Sequence, residues 1–375
     1  MKRTAAFLAL FACLLVLPAH ALEVSAPSAL LMEKETGEVL FAKGEHEPRE
    51  IASVTKVMTL LLTMEQIDSG ALSYDDTVTG SAHAASMGGS QIWLKEGETM
   101  SVRDLLKAVC IVSGNDAAVA LGEHIAGSEE AFVQKMNERA AALGMNDTHF
   151  VNCTGLPAEG HLSSAYDVAL MSRELLKNHP DIRNFTTVWT DSLRGGESML
   201  VNTNKLIRFY DGATGLKTGS TDAARYCLAA SAERDGMELV AVVLKGETSD
   251  ARFADAKALL NYGFANFALL RAVPNEVLQP VFVRLGAQSS VQPRLTEENA
   301  LVVEKSAAKG LSFTVELPQE VSAPVAEGDE LGLLRVAAES GETLAELPIL
   351  AGESVEKITF PQLFLRVLRS GCGAA

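Results

Sequence analysis

The sequence predicts an α/β (α+β) domain followed by a small all-β domain, and three observations predict it. The chain has 375 residues, 47% of them hydrophobic, enough for one large core or two ordinary ones. From Ala29 to about Arg271, short β-like runs such as ALLMEKETGEVLFAK and ELVAVVLKGE bracket long stretches of helical periodicity. From Gln279 onward the rhythm becomes alternation rich in β-branched residues, with frequent Gly and Pro, in QPVFVRLG, ALVVEKSAAKGLSFTVELP and DELGLLRVAAESGETLAELPIL.

Taken in order, residues 1–21 read as a secretory signal. Lys2 and Arg3 precede an apolar stretch from Ala5 to Leu17, then Pro18 and the small-x-small site Ala19-His20-Ala21. That stretch is too short to span a bilayer comfortably. Cys13 sits inside the run and is a poor lipidation site because bulky Phe11 lies close to the cut it would need. The mature chain is expected from Leu22, as a first domain over 22–272.

Within that domain VMTLLLTMEQI, residues 57–67, is apolar enough to be a central buried helix. The pattern SVRDLLKAVCIVSGNDAAVALGEHIAG is helical on both sides of a break at Ser113-Gly114-Asn115. In GHLSSAYD, Ser163 or Ser164 is placed to cap the helix AYDVALMSRELL. The segment Lys217-Thr218-Gly219-Ser220 enters the strand-like RYCLAASA. A junction at RAVPNEV leads to the all-β domain, 275–358.

Residues 359–375 form a short amphipathic tail in which Phe360, Leu363, Phe364, Val367 and Leu368 fall at i, i+3, i+4, i+7 and i+8, with Arg366 and Arg369 off the stripe. Thr359 and Pro361 fit a helix start. Two placements compete: packing on its own β domain, or lying in a membrane interface as a peripheral anchor.

The formal charge is −16, about −18 once Lys2 and Arg3 leave with the leader, and no basic cluster exceeds two residues. Nothing here offers a phosphate backbone a binding stripe, so nucleic acid is excluded as a partner. Cys110, Cys153, Cys227 and Cys372 lie far apart with no CxxC spacing. The first three have apolar neighbours, which suits buried free thiols better than a disulfide framework or zinc. No metal or organic cofactor is expected.

The chemistry centres on Ser53-Val-Thr-Lys56. An i, i+3 pair at the head of a buried helix stacks on one face, and burial lowers a lysine pKa toward what a base for serine needs. Ser53 as a simple helix cap is the competing reading. Composition alone yields such a pair: Ser306-Ala-Ala-Lys309 is a second copy, between two β-like runs where it reads as a polar turn. At the helix break, Ser113 and Asn115 place a hydroxyl and an amide between two apolar segments, to hold an amine and a substrate amide or merely to cap a turn. On an edge strand beside a cleft, Lys217 offers a cation, Thr218 a hydroxyl, and Gly219 a backbone that another chain can approach closely.

In the order SxxK, SxN, KTG these sets make the signature of penicillin-binding proteins and serine β-lactamases. With SALLMEKETGEVLFAK, VSGNDAAVALGEHIAG, HFVNCTGLPAEGHLSSAYDVALMSREL, GLKTGST and ARFADAKALLNYGF, the chain from about Ala26 to its C-terminus resembles serine-type D-alanyl-D-alanine carboxypeptidases, the low-molecular-mass penicillin-binding proteins. The resemblance implies a penicillin-binding-protein/serine β-lactamase-like transpeptidase fold for the first domain. It implies removal of the terminal D-alanine from peptidoglycan stem peptides, inhibition by β-lactams, and an exported enzyme at the outer face of the cytoplasmic membrane or the cell wall.

By the same resemblance Ser53 is the nucleophile, Lys56 its base and Ser113 a proton relay. Asn115 holds the substrate amide and steadies Lys56, while Lys217 and Thr218 face the terminal carboxylate. The N–H groups of Ser53 and Ser220 form the oxyanion hole, and Arg252 lies near the carboxylate. The pattern departs modestly, with Val54 where relatives often carry Leu and Ser220 where a bulkier residue is common.

A β-lactamase is the first alternative, but no ExxLN follows the SxN set. Glu174-Leu-Leu-Lys-Asn178 has the wrong spacing and lies in a helical run. A DD-endopeptidase and a catalytically silent penicillin- or cell-wall-binding module are the others. A Ser-His-Asp triad from His161, Ser164 and Asp167 is disfavoured because Ser53 already has a base and no G-x-S-x-G elbow is present.

Overall fold

In a computed structural model, the described residues are 22–274, 276–296 and 299–371. The expected leader, Cys13 and Cys372 lie outside them. The first domain is organised by five antiparallel strands: β1 (Ser28–Glu33), β2 (Val39–Lys43), β3 (Ala213–Thr221), β4 (Arg225–Arg234) and β5 (Met237–Gly246), in the order β2-β1-β5-β4-β3. Every residue of β1 is buried, because the sheet has a core on each face. Alternation sorts the side chains: Leu30 and Met32 join one core with Val240 and Val242, while Ala29 and Leu31 join the other with Leu239, Ala241 and Val243.

The first core is built on the helix Lys56–Asp68, buried without interruption from Lys56 to Met64, as a helix apolar on all sides requires. Around it pack Val102–Ile111, Asn115–Ala126, Glu129–Ala142 and Ala165–Asn178. Ser164 caps the last of these, accepting from Asp167 N at 3.2 Å. Ser163 instead meets the Thr148 hydroxyl. The opposite core is covered by the helix Ser249–Asn266. Its Gly263 lies so close to the sheet that a Cβ there would sit 2.4 Å from Leu239 Cδ1 and 2.9 Å from Leu31 Cδ2. Cys110, Cys153 and Cys227 are buried free thiols.

Past this helix Phe267–Arg271 pairs with Ala300–Glu304. Three- and four-stranded sheets follow, around small cores centred on Val283 and Val291 and on Leu334 and Ile349. Ser306 and Lys309 are exposed in a turn, with the Ser306 hydroxyl on Glu304. The tail forms the helix Phe360–Gly371. Thr359 opens it, its N and Oγ1 both donating to Gln362 Oε1 at 2.9 Å. Arg366 ties the helix to the β domain through the carbonyls of Gly286 and Ala287. The apolar stripe is left exposed, with Phe360, Phe364 and Val367 all open to solvent. No helix of the described residues is long and apolar enough to cross a membrane.

Gly263 provides a direct check on the helix–sheet spacing. Gly263→Val is expected to lower stability by about 1–3 kcal/mol through overpacking, measured by denaturant unfolding of the purified protein.

Candidate active site

Ser53 lies in a short 3₁₀ turn, Ala52–Thr55, that runs straight into the helix Lys56–Asp68. Ala52, Val54 and Thr55 are buried, whereas Ser53 is partly open. Neither helical segment has a side-chain cap, so the capping reading of Ser53 does not hold and its hydroxyl is available for chemistry. Helical spacing brings Lys56 Nζ to 2.9 Å from Ser53 Oγ.

Lys56 has no exposed surface. Its other bonds go to Asn115 Oδ1 at 2.6 Å and the Thr154 carbonyl at 2.7 Å, so all three ammonium N–H groups have acceptors. Burial nonetheless pushes its pKa down to about 7, with Cys153 and Asp116 partly opposing the fall.

The break between Val102–Ile111 and Asn115–Ala126 delivers the second set. Asn115 accepts from Lys56 and donates through Nδ2 to the Gly88 carbonyl at 2.7 Å, which fixes the orientation of its amide. Ser113 stands at φ 64°, a left-handed conformation uncommon outside glycine. Its hydroxyl is buried with no hydrogen-bond partner among the described residues. A buried polar atom left unpaired is costly, and here it sits two residues from Asn115. Neither residue caps the helix, which begins without a side-chain cap at Gly114.

Strand β3, at the sheet edge, carries the third set. Lys217 is buried, and its Nζ donates to the Thr218 carbonyl at 2.8 Å. Burial holds its pKa well below the usual lysine range, and the positive charges of Lys56 and Arg252 push the same way. Thr218 shares a hydrogen bond with the Thr203 hydroxyl at 2.7 Å. A Cβ on Gly219 would sit 2.7 Å from the Ile51 carbonyl oxygen and 2.9 Å from Ser53 N. The segment approaching Gly219 is therefore the chain's own turn, and glycine is what lets β3 lie against it. Ser220 is exposed.

Arg252 is buried under β3, its Nη1 donating to the carbonyls of Gly219 at 2.9 Å and Cys227 at 3.1 Å, with its guanidinium over Tyr226 and Phe253. It thus reaches the site through the backbone of Gly219.

His161, Ser164 and Asp167 do not converge as a triad. Asp167 receives Asp147 N and the Thr148 hydroxyl, whereas His161 bonds Val151 N and Thr55. Glu174 pairs with Arg139.

Sequence reasoning missed several participants. Thr154 acts through its carbonyl, which no side-chain pattern reports. Thr203 reaches Thr218 only through the fold. Asp116 was visible as an acid directly after Asn115; it is buried and collects the N–H groups of Ile92, Leu94 and Ala117, so it anchors the loop that also supplies Gly88 and Ser90 to Asn115.

Residues 16–248 match the family model described as D-alanyl-D-alanine carboxypeptidase, and residues 272–357 match that of the penicillin-binding protein 5 C-terminal domain. The chain is 43% identical over 348 residues to D-alanyl-D-alanine carboxypeptidase DacF of Bacillus subtilis, covering 92% of this chain and 89% of the relative. It is 33% identical to DacD of Escherichia coli, covering 89% and 87%. Among solved structures it is similar to penicillin-binding protein 5 of Haemophilus influenzae, with a TM-score of 0.81, 28% identity and coverage of 89% and 98%. It is also similar to penicillin-binding protein D2 of Listeria monocytogenes in an ampicillin-bound form, with a TM-score of 0.60, 35% identity and coverage of 65% and 99%.

If the neutral amine of Lys56 is what activates Ser53, the second-order rate of Ser53 acylation by a labelled penicillin rises with pH, with a midpoint near 7. The sign follows from the lowered pKa: below it the amine is protonated and cannot take the serine proton. A flat profile from pH 5 to 9 would sink this assignment. Asn115→Ala removes one acceptor from the ammonium and the clamp on Gly88, and is expected to slow acylation by roughly ten- to a hundredfold.

Proposed function

The chain belongs to the D-alanyl-D-alanine carboxypeptidase family, and on that premise we propose that Ser53 is the residue acylated in a two-step carboxypeptidase reaction on peptidoglycan stem peptides ending in D-Ala-D-Ala. The observation that carries this reading is the fully buried Lys56, 2.9 Å from Ser53 Oγ and with a pKa brought to about 7. An amine so placed is neutral in a large fraction of molecules at neutral pH and within reach of the proton it must take.

Lys56 accepts the Ser53 proton as Ser53 attacks the carbonyl between the two D-alanines. The ammonium so formed finds Asn115 Oδ1 and the Thr154 carbonyl already in place. The N–H groups of Ser53 and Ser220 receive the oxyanion. Ser113, whose hydroxyl has no other partner among the described residues, hands its proton to the nitrogen of the departing D-alanine and regains one from the Lys56 ammonium, and water then hydrolyses the Ser53 ester. Lys217 is a buried amine with no carboxylate bonded to it among the described residues. The substrate's terminal carboxylate, met also by Thr218, supplies that counter-charge and favours the protonated form. Arg252 serves the same subsite by holding the Gly219 carbonyl. β-Lactams acylate Ser53 and leave slowly. The β-lactamase alternative loses its nearest acid, since Glu174 lies in a helix and is paired with Arg139.

The enzyme acts outside the cytoplasm as an exported protein, in the arrangement signal 1–21, catalytic domain 22–272, β domain 275–358 and tail 359–375. The exposed apolar stripe of the tail favours peripheral contact with the outer face of the membrane.

Incubation of the purified protein with diacetyl-lysyl-D-Ala-D-Ala is expected to release D-alanine, and incubation with penicillin to leave a persistent adduct by intact mass, both lost in Ser53→Ala. Rapid penicillin turnover without D-alanine release would identify a β-lactamase instead. Deleting residues 359–375 is expected to shift the protein from the membrane to the soluble fraction on cell fractionation; unchanged partitioning would refute the anchor.

A further inference from the structure

The nucleophile turn is held from behind by a chain of hydrogen bonds that does not touch the nucleophile's side chain. Ala52 stands at φ 47°, a strained value for a residue with a Cβ. Its carbonyl accepts from Thr55 Oγ1 at 2.8 Å, and the same hydroxyl lies 2.7 Å from His161 Nε2. His161 Nδ1 accepts from Val151 N at 3.0 Å, which makes it the bare nitrogen and leaves Nε2 carrying the proton. The donations therefore run one way, from His161 through Thr55 to the Ala52 carbonyl. His161 is buried, and burial, with His149 adding to it, pushes its pKa down to about 4, so the neutral ring that this direction requires is the prevailing form. Gly155 closes the same carbonyl from another side: a Cβ there would lie 1.9 Å from the Ala52 oxygen.

The consequence follows from peptide geometry. The Ala52 carbonyl and the Ser53 N–H belong to one rigid trans unit, so they point in opposite directions and fixing one aims the other. On the far side of that unit lies β3, where a Cβ on Gly219 would come within 2.9 Å of Ser53 N. Donation into the carbonyl also polarises the peptide and strengthens its N–H as a donor.

We propose that His161 and Thr55 are positioning residues of the oxyanion hole, aiming and polarising the Ser53 N–H through the Ala52 carbonyl. This rests on the reading of Ser53 as the acylated residue. The bonds of the two side chains run to each other and to the backbone of Ala52 and Val151.

The test uses the full chain with Thr55→Val, Thr55→Ser, His161→Ala, His161→Gln and the Thr55→Val/His161→Ala double variant. Each is followed by the second-order rate of penicillin acylation at Ser53 and by thermal unfolding. Thr55→Val keeps the shape and loses the donor; it is expected to slow acylation by roughly tenfold or more, with a fall in the unfolding temperature that still leaves the protein folded at the assay temperature. Thr55→Ser restores most of the rate, and so does His161→Gln, whose amide donates in place of Nε2. The double variant is expected to be no slower than the worse single one, because both break the same chain. Wild-type acylation by Thr55→Val, multiplying effects in the double variant, or rate losses that simply track unfolding would each overturn the proposal. Should His161→Ala fail to fold, the Thr55 pair alone decides. Absence of any adduct in the wild-type protein that Ser53→Ala removes would overturn the proposed function, and this inference with it.

Discussion

A lysine amine carried into the interior with no carboxylate bonded to it among the described residues is the constraint around which this protein is organised. A lysine whose pKa falls from 10.5 to about 7 has lost on the order of 5 kcal/mol of preference for its charged form. That loss is useful only if the amine stays next to a serine that solvent and substrate can reach. The structure meets the condition by placing Lys56 at the first residue of a helix buried from Lys56 to Met64 and Ser53 in the partly open turn before it. Three unrelated segments then converge on Nζ: the Ser53 turn, the start of the helix Asn115–Ala126, and the loop carrying Thr154.

Each of those segments is itself held by buried polar bonds. Asp116 collects backbone N–H groups from the loop that gives Gly88 to Asn115. The turn is pressed between Gly155 on one side and Gly219 on the other, positions where any Cβ would collide with backbone atoms. Arg252 secures the Gly219 carbonyl from beneath the sheet. These bonds let several strained residues, Ala52 and Ser113 among them, remain in left-handed conformations that their side chains disfavour. Lys217 is also buried, and the positive charges of Lys56 and Arg252 add to the cost of charging it. Both buried amines are thus perturbed by one cause, the loss of water around them, which at Lys56 outweighs the opposing charge of Asp116.

The second domain answers different physics. Its cores are small, and the strand Phe267–Arg271 runs directly from the catalytic domain's last helix into pairing with Ala300–Glu304. The tail helix is tied to it by polar bonds from Arg366, while its apolar stripe faces solvent. That is the reverse of how an amphipathic helix settles on its own domain.

Much of this was legible in the sequence, because the patterns involved are local. Periodicity alone located the central helix, the break at Ser113–Asn115, the change to β structure and the tail; i, i+3 spacing on a helix was sufficient to stack Ser53 and Lys56. Cooperation among distant segments was not legible. Thr154 contributes a carbonyl, which every residue possesses. Gly219 was expected to admit a neighbouring chain, but only the packed structure identified that neighbour as the Ser53 turn itself. His161 read as part of a structural stretch until the fold brought its Nε2 to Thr55. What the sequence by itself determined was which candidate groups the chain carries and the local elements that carry them. Tertiary structure decided how deeply each is buried and which backbone groups face it, because pKa and hydrogen-bond direction depend on surroundings assembled from segments far apart in the chain.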